Sequence, residues 1–476
     1  MPIPPPSRYH VRYPEYRDSG IEWLGEIPAH WDVRRLKECA NAWLSNVDKK
    51  SVKGEPQVRL CNYVDVYYHD RIDGEMDFMT ATATPAQVHR FSLREGDVMI
   101  TKDSETWTDI AVPALVTEDL ADVVCGYHLA LIRPQPNSVG AFIGWAIGAV
   151  GPREQYQVAA NGITRFGLTI DAIRNSILPM PPLLEQHSIV RFLAHETAKI
   201  DALVAKQQEL IGLLQEKRTA LISHAVTKGL DPEAAMKDSG VEWLGETPAH
   251  WALQPLRTLA RRGPRTFTDG DWIESLYITD GGVRLIQTGN VGIGHYKEQG
   301  FRYVSENTFS ELGCTEVRPD DVLICRLAHP VGRACLAPDL GTRMITSVDV
   351  CILRSAHEVV PSFLVYSLSA SNYLAFMGGI CRGGTRDRVS RSTLGSVPIR
   401  VPPLSEQYAI AKVLDKETNK IDTMSDKVNE AIDHLNEYRT ALISAAVTGK
   451  IDVRQQVADL PEPIDYGPLS AKRTIQ

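Results

Sequence analysis

The sequence predicts an α+β protein with an internal pseudo-two-fold repeat, in which two mixed domains are separated by two long helices that pair as an antiparallel coiled coil. Three observations carry this reading. The stretch DSGIEWLGEIPAHW at Asp18–Trp31 returns 220 positions later as DSGVEWLGETPAHW at Asp238–Trp251, with two of fourteen residues changed. A second repeat begins PPLLEQ at Pro181 and PPLSEQ at Pro402, an offset of 221, so both repeats belong to one duplicated unit. Between them lie divergent stretches in which short β-like runs alternate with Gly and Pro turns.

Taken in order, the chain of 476 residues is too long for one ordinary core. Residues 1–180 form a first mixed domain with its tryptophan-bearing head, 181–230 a first long helix, 231–401 a second mixed domain, 402–452 a second long helix and 453–476 a flexible tail. Trp23, Trp31, Trp243 and Trp251 pin the start of each domain. Strands are expected at DVMIT, LALIRP, DVLICR and VDVCILR, and helices near AFIGWAIGAV and PSFLVYSLSASNYLAFM. Within the divergent middles only islands match: VRLCNYVDV from Val58 with VRLIQTGNV from Val283, DVMI with DVLI, and GITR from Gly162 with GGTR from Gly383.

The long helices follow from periodicity. Leu414, Ile421, Val428, Leu435 and Leu442 recur every seven residues, with Met424, Ala431, Tyr438 and Ala445 three positions after four of them. The first copy offers Leu193, Ile200, Gln207, Leu214 and Leu221. Pro181, Pro182, Pro402 and Pro403 suit helix entry, and Gly229 and Gly449 suit helix exit. At about 1.5 Å per residue each rod runs about 60 Å. Two matching seams on one chain favour intramolecular pairing, because tethering gives a high effective concentration.

Composition excludes several classes. No apolar run reaches the roughly 18 residues of a membrane span, and the N-terminus lacks the apolar core of a signal peptide, so a cytoplasmic protein without membrane contact is expected. The eight cysteines are scattered without a Cys-x-x-Cys pair, which indicates buried thiols rather than a metal site or disulfides. A net charge of −8 argues against coating nucleic acid by bulk charge but permits local basic clefts. Phosphate-cradling, dinucleotide-binding, zinc-protease and nucleophile-elbow motifs are all missing. So is the Asn/Asp-Pro-Pro-aromatic motif of a base methyltransferase, since MPPL and VPPL have the job of starting helices.

What the middles offer is polar loops. CRGGTRDRVSRS brings Arg382, Thr385, Arg386, Arg388 and Arg391 close in sequence beside glycines that admit a ligand to the backbone. ANGITRFGL supplies Asn161, Thr164 and Arg165. Each Arg alone reads equally as a solvated loop residue; recurrence of Gly-x-Thr-Arg in both copies favours binding. Lys102 and Arg326 follow equivalent strands, where binding loops begin. Arg59 and Tyr63 in VRLCNYVDVYYHD, and Asn290 in the matching island, are weaker candidates, because aromatic strands more often build core.

The paired DSGxEWLGExPAHW heads, divergent middles and PPLxEQ…ETxKID…RTALIS…AVTG helices resemble the specificity subunit of type I restriction-modification enzymes over nearly the whole chain. The resemblance implies that each middle is a target recognition domain for one half of a bipartite, asymmetric double-stranded DNA sequence. It implies that the helices set the spacing and dock two modification subunits, and that restriction (motor) subunits join the complex. It also implies a non-catalytic chain with no cofactor of its own, S-adenosylmethionine, ATP and Mg being held by the partners. The family fixes no universal base-reading residues, so the candidates named above rest on the loops alone. The rival reading is a duplicated coiled-coil scaffold or adaptor whose middles bind proteins.

Overall fold

The computed structural model describes residues 11–381, 387–457 and 460. The chain divides into two compact units that do not follow the two sequence copies: Met1–Gln208 with Asn429–Gln476, and Glu209–Val428. The expected flexible tail is corrected at its start, since Arg454–Val457 form a short 3-10 turn with Val453 and Val457 buried in the first unit's core, and 458–459 and 461–476 lie outside the described residues.

Each unit contains one head. In the first unit, strands Tyr16–Asp18 and Glu26–Pro28 pair antiparallel. The turn between them is closed by Asp18, which accepts from the Gly20 N–H at 2.9 Å. Arg17 donates to the carbonyls of Ala29 and Trp31, and Trp31 is fully buried. The second unit repeats the design with Met236–Asp238, Glu246–Pro248 and Gly240, and Lys237 replaces Arg17 on the carbonyls of Ala249 and Trp251. Trp23 lies against the backbone of Gly151, where a Cβ would meet its ring at 2.5 Å, whereas Trp243 stacks on Phe376 at 4.5 Å.

The first unit's middle holds a five-stranded sheet in the order Ala40–Leu44, Leu129–Pro134, Val98–Thr101, Pro113–Val116, Arg71–Ile72, antiparallel except for the last pair. A four-stranded sheet contains Gln57–Cys61 and Leu120–Cys125 at its centre. Side chains alternate between faces along a strand. Val98 and Ile100 accordingly enter the core shared with the helix Gly140–Gly148, whereas Met99 enters a second core with Leu60 and Val124 of the other sheet. Burial on both faces explains the unbroken apolar run VMI.

The second unit is built alike from two four-stranded sheets. One contains Phe267–Asp269, Val350–Leu353, Val322–Cys325 and Ala334–Leu336, and Val322 and Ile324 face one core while Leu323 and Cys325 face another. All eight cysteines are buried free thiols, and burial pushes those of Cys39 and Cys335 up to about 11 and about 12. Among the described residues no single helix is long and apolar enough to cross a membrane.

The tract from Val58 departs from a simple strand. The strand ends at Cys61 and the helix Tyr63–Tyr68 follows, because Asp65 accepts from the Asn62 N–H at 2.6 Å and closes the first turn. Local capping outweighs the β-propensity of the Tyr-Val run.

The two long helices span Leu183–Lys228, 46 residues, and Leu404–Val447, 44 residues. Both end at a glycine in the left-handed region, Gly229 (φ 77°) and Gly449 (φ 72°). In the first unit the start of the first helix packs against the end of the second. Ile189, Leu193 and Ile200 share a core with Leu442, Ala445 and Ala446, and Asp201 pairs with Arg439 at 3.1 Å. In the second unit Ile222 and Val226 share a core with Ile410 and Leu414, and Arg218 pairs with Asp422 at 3.0 Å. Within each unit the helix segments therefore run antiparallel. Most predicted seam positions are buried or half-buried, but Met424 is exposed.

Candidate nucleic-acid interface

In the first unit, three connections converge at one end of the five-stranded sheet. Residues 102–112 join the antiparallel strands Val98–Thr101 and Pro113–Val116, and Thr101 also pairs with Leu129, which places residues 126–128 beside Lys102. The Lys102 N–H donates to the His128 carbonyl at 3.0 Å. The third connection is the hairpin 161–167, whose Phe166 and Gly167 pair with Ser104 and Asp103. Asn161 and Gly167 exchange backbone hydrogen bonds at 3.1 and 2.9 Å. Gly162 is required at the turn: its φ is 152°, and a Cβ there would fall 1.9 Å from the Arg165 carbonyl oxygen.

The sequence thus brings Lys102, Asn161, Thr164 and Arg165 to one place, the last three exposed. Lys102 is committed locally: its ammonium donates to Asp103 at 2.7 Å and lies 4.9 Å from the centre of the Tyr127 ring. His128 Nδ1 meets the same carboxylate oxygen at 2.7 Å. Burial alone would raise the Asp103 carboxyl, but the hydrogen bonds from Lys102 and His128, with their charges, hold it below the usual carboxylate range.

Arg59 does not join this group of loops, and Tyr63 adjoins it only through Tyr67, whose hydroxyl bonds Asp109 of the 102–112 connection. Arg59 sits mid-strand on the four-stranded sheet, bonded to both oxygens of Asp122 at 2.7 and 3.0 Å and stacked over Phe78. Tyr63 stacks on Tyr67 at 5.3 Å on the short helix.

The second unit repeats the clip. Leu327, just beyond the strand Val322–Cys325, bridges to Arg388, as Asp103 does to Gly167. Two candidates are corrected here. Arg326 is 5% exposed, paired with Asp269 at 2.8 Å and donating to the carbonyls of Val389 and Val348, so its guanidinium fastens the clip and cannot reach a base edge. Asn290 is also buried: its amide donates to the carbonyls of Lys297 and Gln299 and its oxygen accepts from the Gln287 N–H, the turn-closing job that Asp65 performs in the first copy. Arg388 is half-exposed and pairs with Asp349 at 2.8 Å. Arg382, Thr385 and Arg386 lie outside the described residues.

Exposed apolar groups accompany the polar residues in each unit. Trp107, Tyr127 and Ile163 are exposed in the first unit, and Trp272 and Phe301 in the second. A tryptophan inside the polar run SETWTD was the available signal.

Comparison with known proteins adds the following. Residues 314–434 match the family model described as Type I restriction modification DNA specificity domain. A Methanocaldococcus jannaschii protein provisionally named the MjaX type I restriction enzyme specificity subunit is 23% identical over 446 residues, covering 90% of this chain and 96% of that protein. The EcoBI type I restriction enzyme specificity subunit of Escherichia coli is 21% identical over 300 residues, covering 61% of this chain and 62% of its own. A solved structure from work on complex assembly and conformational transition of the type I R-M system has a TM-score of 0.59 at 18% identity, covering 88% of this chain and 98% of that one, and shares the fold.

Proposed function

We infer that this chain is the DNA-recognition (specificity) subunit of a type I restriction-modification enzyme and has no catalytic role of its own. The observation that carries the reading is a loop clip built twice with different side chains: 103–104 on 166–167 in the first unit and 327 on 388 in the second. A common frame presenting two different loop surfaces is what an asymmetric, two-part DNA address requires.

In this reading residues 1–180 and 231–401 are the two target recognition domains, each reading one half-site. The long helices 181–230 and 402–452 act as a coiled-coil spacer and dock two modification subunits. Those partners bind S-adenosylmethionine and methylate adenine, and restriction subunits supply ATP- and Mg-dependent translocation and cleavage. Thr164 and Arg165 are candidates for base or phosphate contact in the first half-site, and Arg382, Thr385, Arg386 and Arg388 in the second.

The test is long-read sequencing of adenine methylation in cells co-expressing this chain with its modification subunit, each alone as control. A bipartite asymmetric motif that requires both chains is expected. A stable complex that neither methylates nor binds DNA in a sequence-specific, salt-dependent way would instead favour a protein-binding scaffold.

A further inference from the structure

Two apolar side chains in the first unit stand outside the core at the end of the sheet where the loops converge. Trp107 is 50% exposed and Ile163 is 95% exposed. A single exposed apolar residue needs no explanation. What sets these two apart is the structure that holds them.

Trp107 opens the short turn Trp107–Asp109. The Thr108 carbonyl accepts from Arg153 at 3.0 Å and from Gln157 at 2.9 Å. Asp109 accepts from the Tyr67 hydroxyl and lies 3.8 Å from Arg153. Ser104 accepts from the Thr106 N–H at 3.3 Å. A six-residue polar run is thus fastened on both sides of its one large side chain, and half of that side chain is left in solvent.

Ile163 is held by a related arrangement. It rides the hairpin that the left-handed Gly162 allows, clipped to Asp103–Ser104 just ahead of the tryptophan turn. The helix Val150–Ala159 links the two: its Arg153 and Gln157 grip the tryptophan turn, and its C-terminal end leads directly into the hairpin. Both groups are therefore fixed relative to one rigid element, so little ordering cost remains when they meet a partner. Thr164 and Arg165, exposed beside Ile163, supply polar and cationic contacts for phosphate or base edges, and Glu105 is the acidic neighbour on the tryptophan turn.

We propose that Trp107 and Ile163 form a two-pronged apolar probe that contacts bases of the first DNA half-site. The indole stacks on or wedges into a base step, and Ile163 packs on a thymine methyl or the opened step beside it. The second copy has Gly384 in the Gly-x-Thr-Arg position of Ile163 and so carries no apolar side chain at that position. The inference rests on the DNA-recognition reading above.

The test uses the complex assembled with its modification subunits and duplexes carrying the motif it methylates, with 2-aminopurine placed at each position of the first half-site. Trp107→Ala is expected to weaken cognate binding about 10-fold or more, Trp107→Phe to keep part of the affinity, and Ile163→Gly to relax preference in the first half while leaving the second unchanged. One 2-aminopurine position is expected to change its emission with the wild-type complex and to keep the free-duplex value with Trp107→Ala. Should that variant not fold, Trp107→Phe and Ile163→Gly carry the comparison. Wild-type affinity, selectivity and 2-aminopurine emission in the folded variants would overturn the probe and leave DNA recognition standing. Loss of all cognate preference in the wild-type complex would overturn both.

Discussion

The contact between the end of the second long helix and the first head gives a graded prediction about stability. Gly449 has φ 72°, a conformation that costs a residue with a Cβ about 1–2 kcal/mol. It also has no room, since a Cβ would lie 2.4 and 2.7 Å from Cδ and Cγ of Pro28 and 3.2 Å from Cη2 of Trp31. A proline ring inside a packed head cannot swing aside, so overpacking adds about 1–3 kcal/mol. Gly449→Ala should therefore cost about 3 kcal/mol. Gly229 has φ 77°, but its nearest neighbours stand farther off, the carboxylate of Glu406 at 3.1 Å and Trp251 at 3.3 Å, and Gly229→Ala should cost about 2 kcal/mol. Gly20 has φ 72° with nothing within 4 Å, so Gly20→Ala should cost only the backbone strain, about 1 kcal/mol. Urea unfolding followed by tryptophan fluorescence checks the series, with Gly449 and Gly20 acting on the first unit and Gly229 on the second. If Gly449→Ala costs no more than Gly20→Ala, the helix end does not press on Pro28 and Trp31 and the reasoning fails.

Arg439 is 3% exposed beneath its pair with Asp201, whereas Arg218 is 21% exposed beside Asp422; Arg439→Ala should cost about 3 kcal/mol and Arg218→Ala about 1 kcal/mol or less, read by the same unfolding curves. Arg326→Ala should lower the melting temperature of the second unit before it alters sequence preference, whereas Arg165→Ala should relax only the first half of the methylated motif; methylome sequencing beside thermal unfolding separates the two. A four-residue helical insertion after Gln207 or Val428 should widen the gap between half-sites by up to about 2 bp, since one turn adds about 6 Å, and leave both half-sites unchanged. The Asp103 carboxyl has a folded pKa below its unfolded value of about 3.9; its contribution is complete above that value and lost as pH falls through the folded pKa, so Asp103→Asn should flatten the acid limb of the first unit's stability curve below about pH 4.

The frame was legible because it is written twice and periodically. Heads and helix boundaries follow from repeats, prolines, glycines and the heptad, all of which are read without knowing any contact. The site was legible to the level of which loops meet, as with Lys102 and the 161–167 hairpin, but not to the level of which side chains are available. Arg326 shows why. An arginine at a strand end reads the same whether it faces solvent or holds a clip, and the difference lies in Asp269, which arrives from a strand 57 residues earlier. Asn290 failed similarly, because its amide donates to the carbonyls of Lys297 and Gln299, whose return path no local pattern announces. Trp107 was missed for the opposite reason: tryptophans usually build core, and its exposure depends on Arg153 and Gln157 from a distant helix.

The near-identity of the two heads has a structural cause in this arrangement. His30 bonds Glu185 at the start of its own copy's helix, and His250 bonds Glu406 likewise, both at 2.8 Å. Trp31, however, packs on Gly449 at the end of the other copy's helix, and Trp251 packs on Gly229. The ion pairs cross in the same way: Asp201 of the first copy meets Arg439 of the second, and Arg218 of the first meets Asp422 of the second. Each head and helix must therefore fit partners from both copies, and a substitution in one copy that suits its own neighbours must still suit the other's. The loops are less bound in this way, since the grip on the tryptophan turn comes from Arg153 and Gln157 of the same middle, although the helix that carries them touches Ser444 of the other copy through the Val150 N–H at 3.3 Å. Lys237→Arg, which copies Arg17 into the equivalent position on the Ala249 and Trp251 carbonyls, should therefore be tolerated with a stability change below about 0.5 kcal/mol. A large loss in unfolding measurements would mean that the two heads, for all their shared wording, are not interchangeable parts.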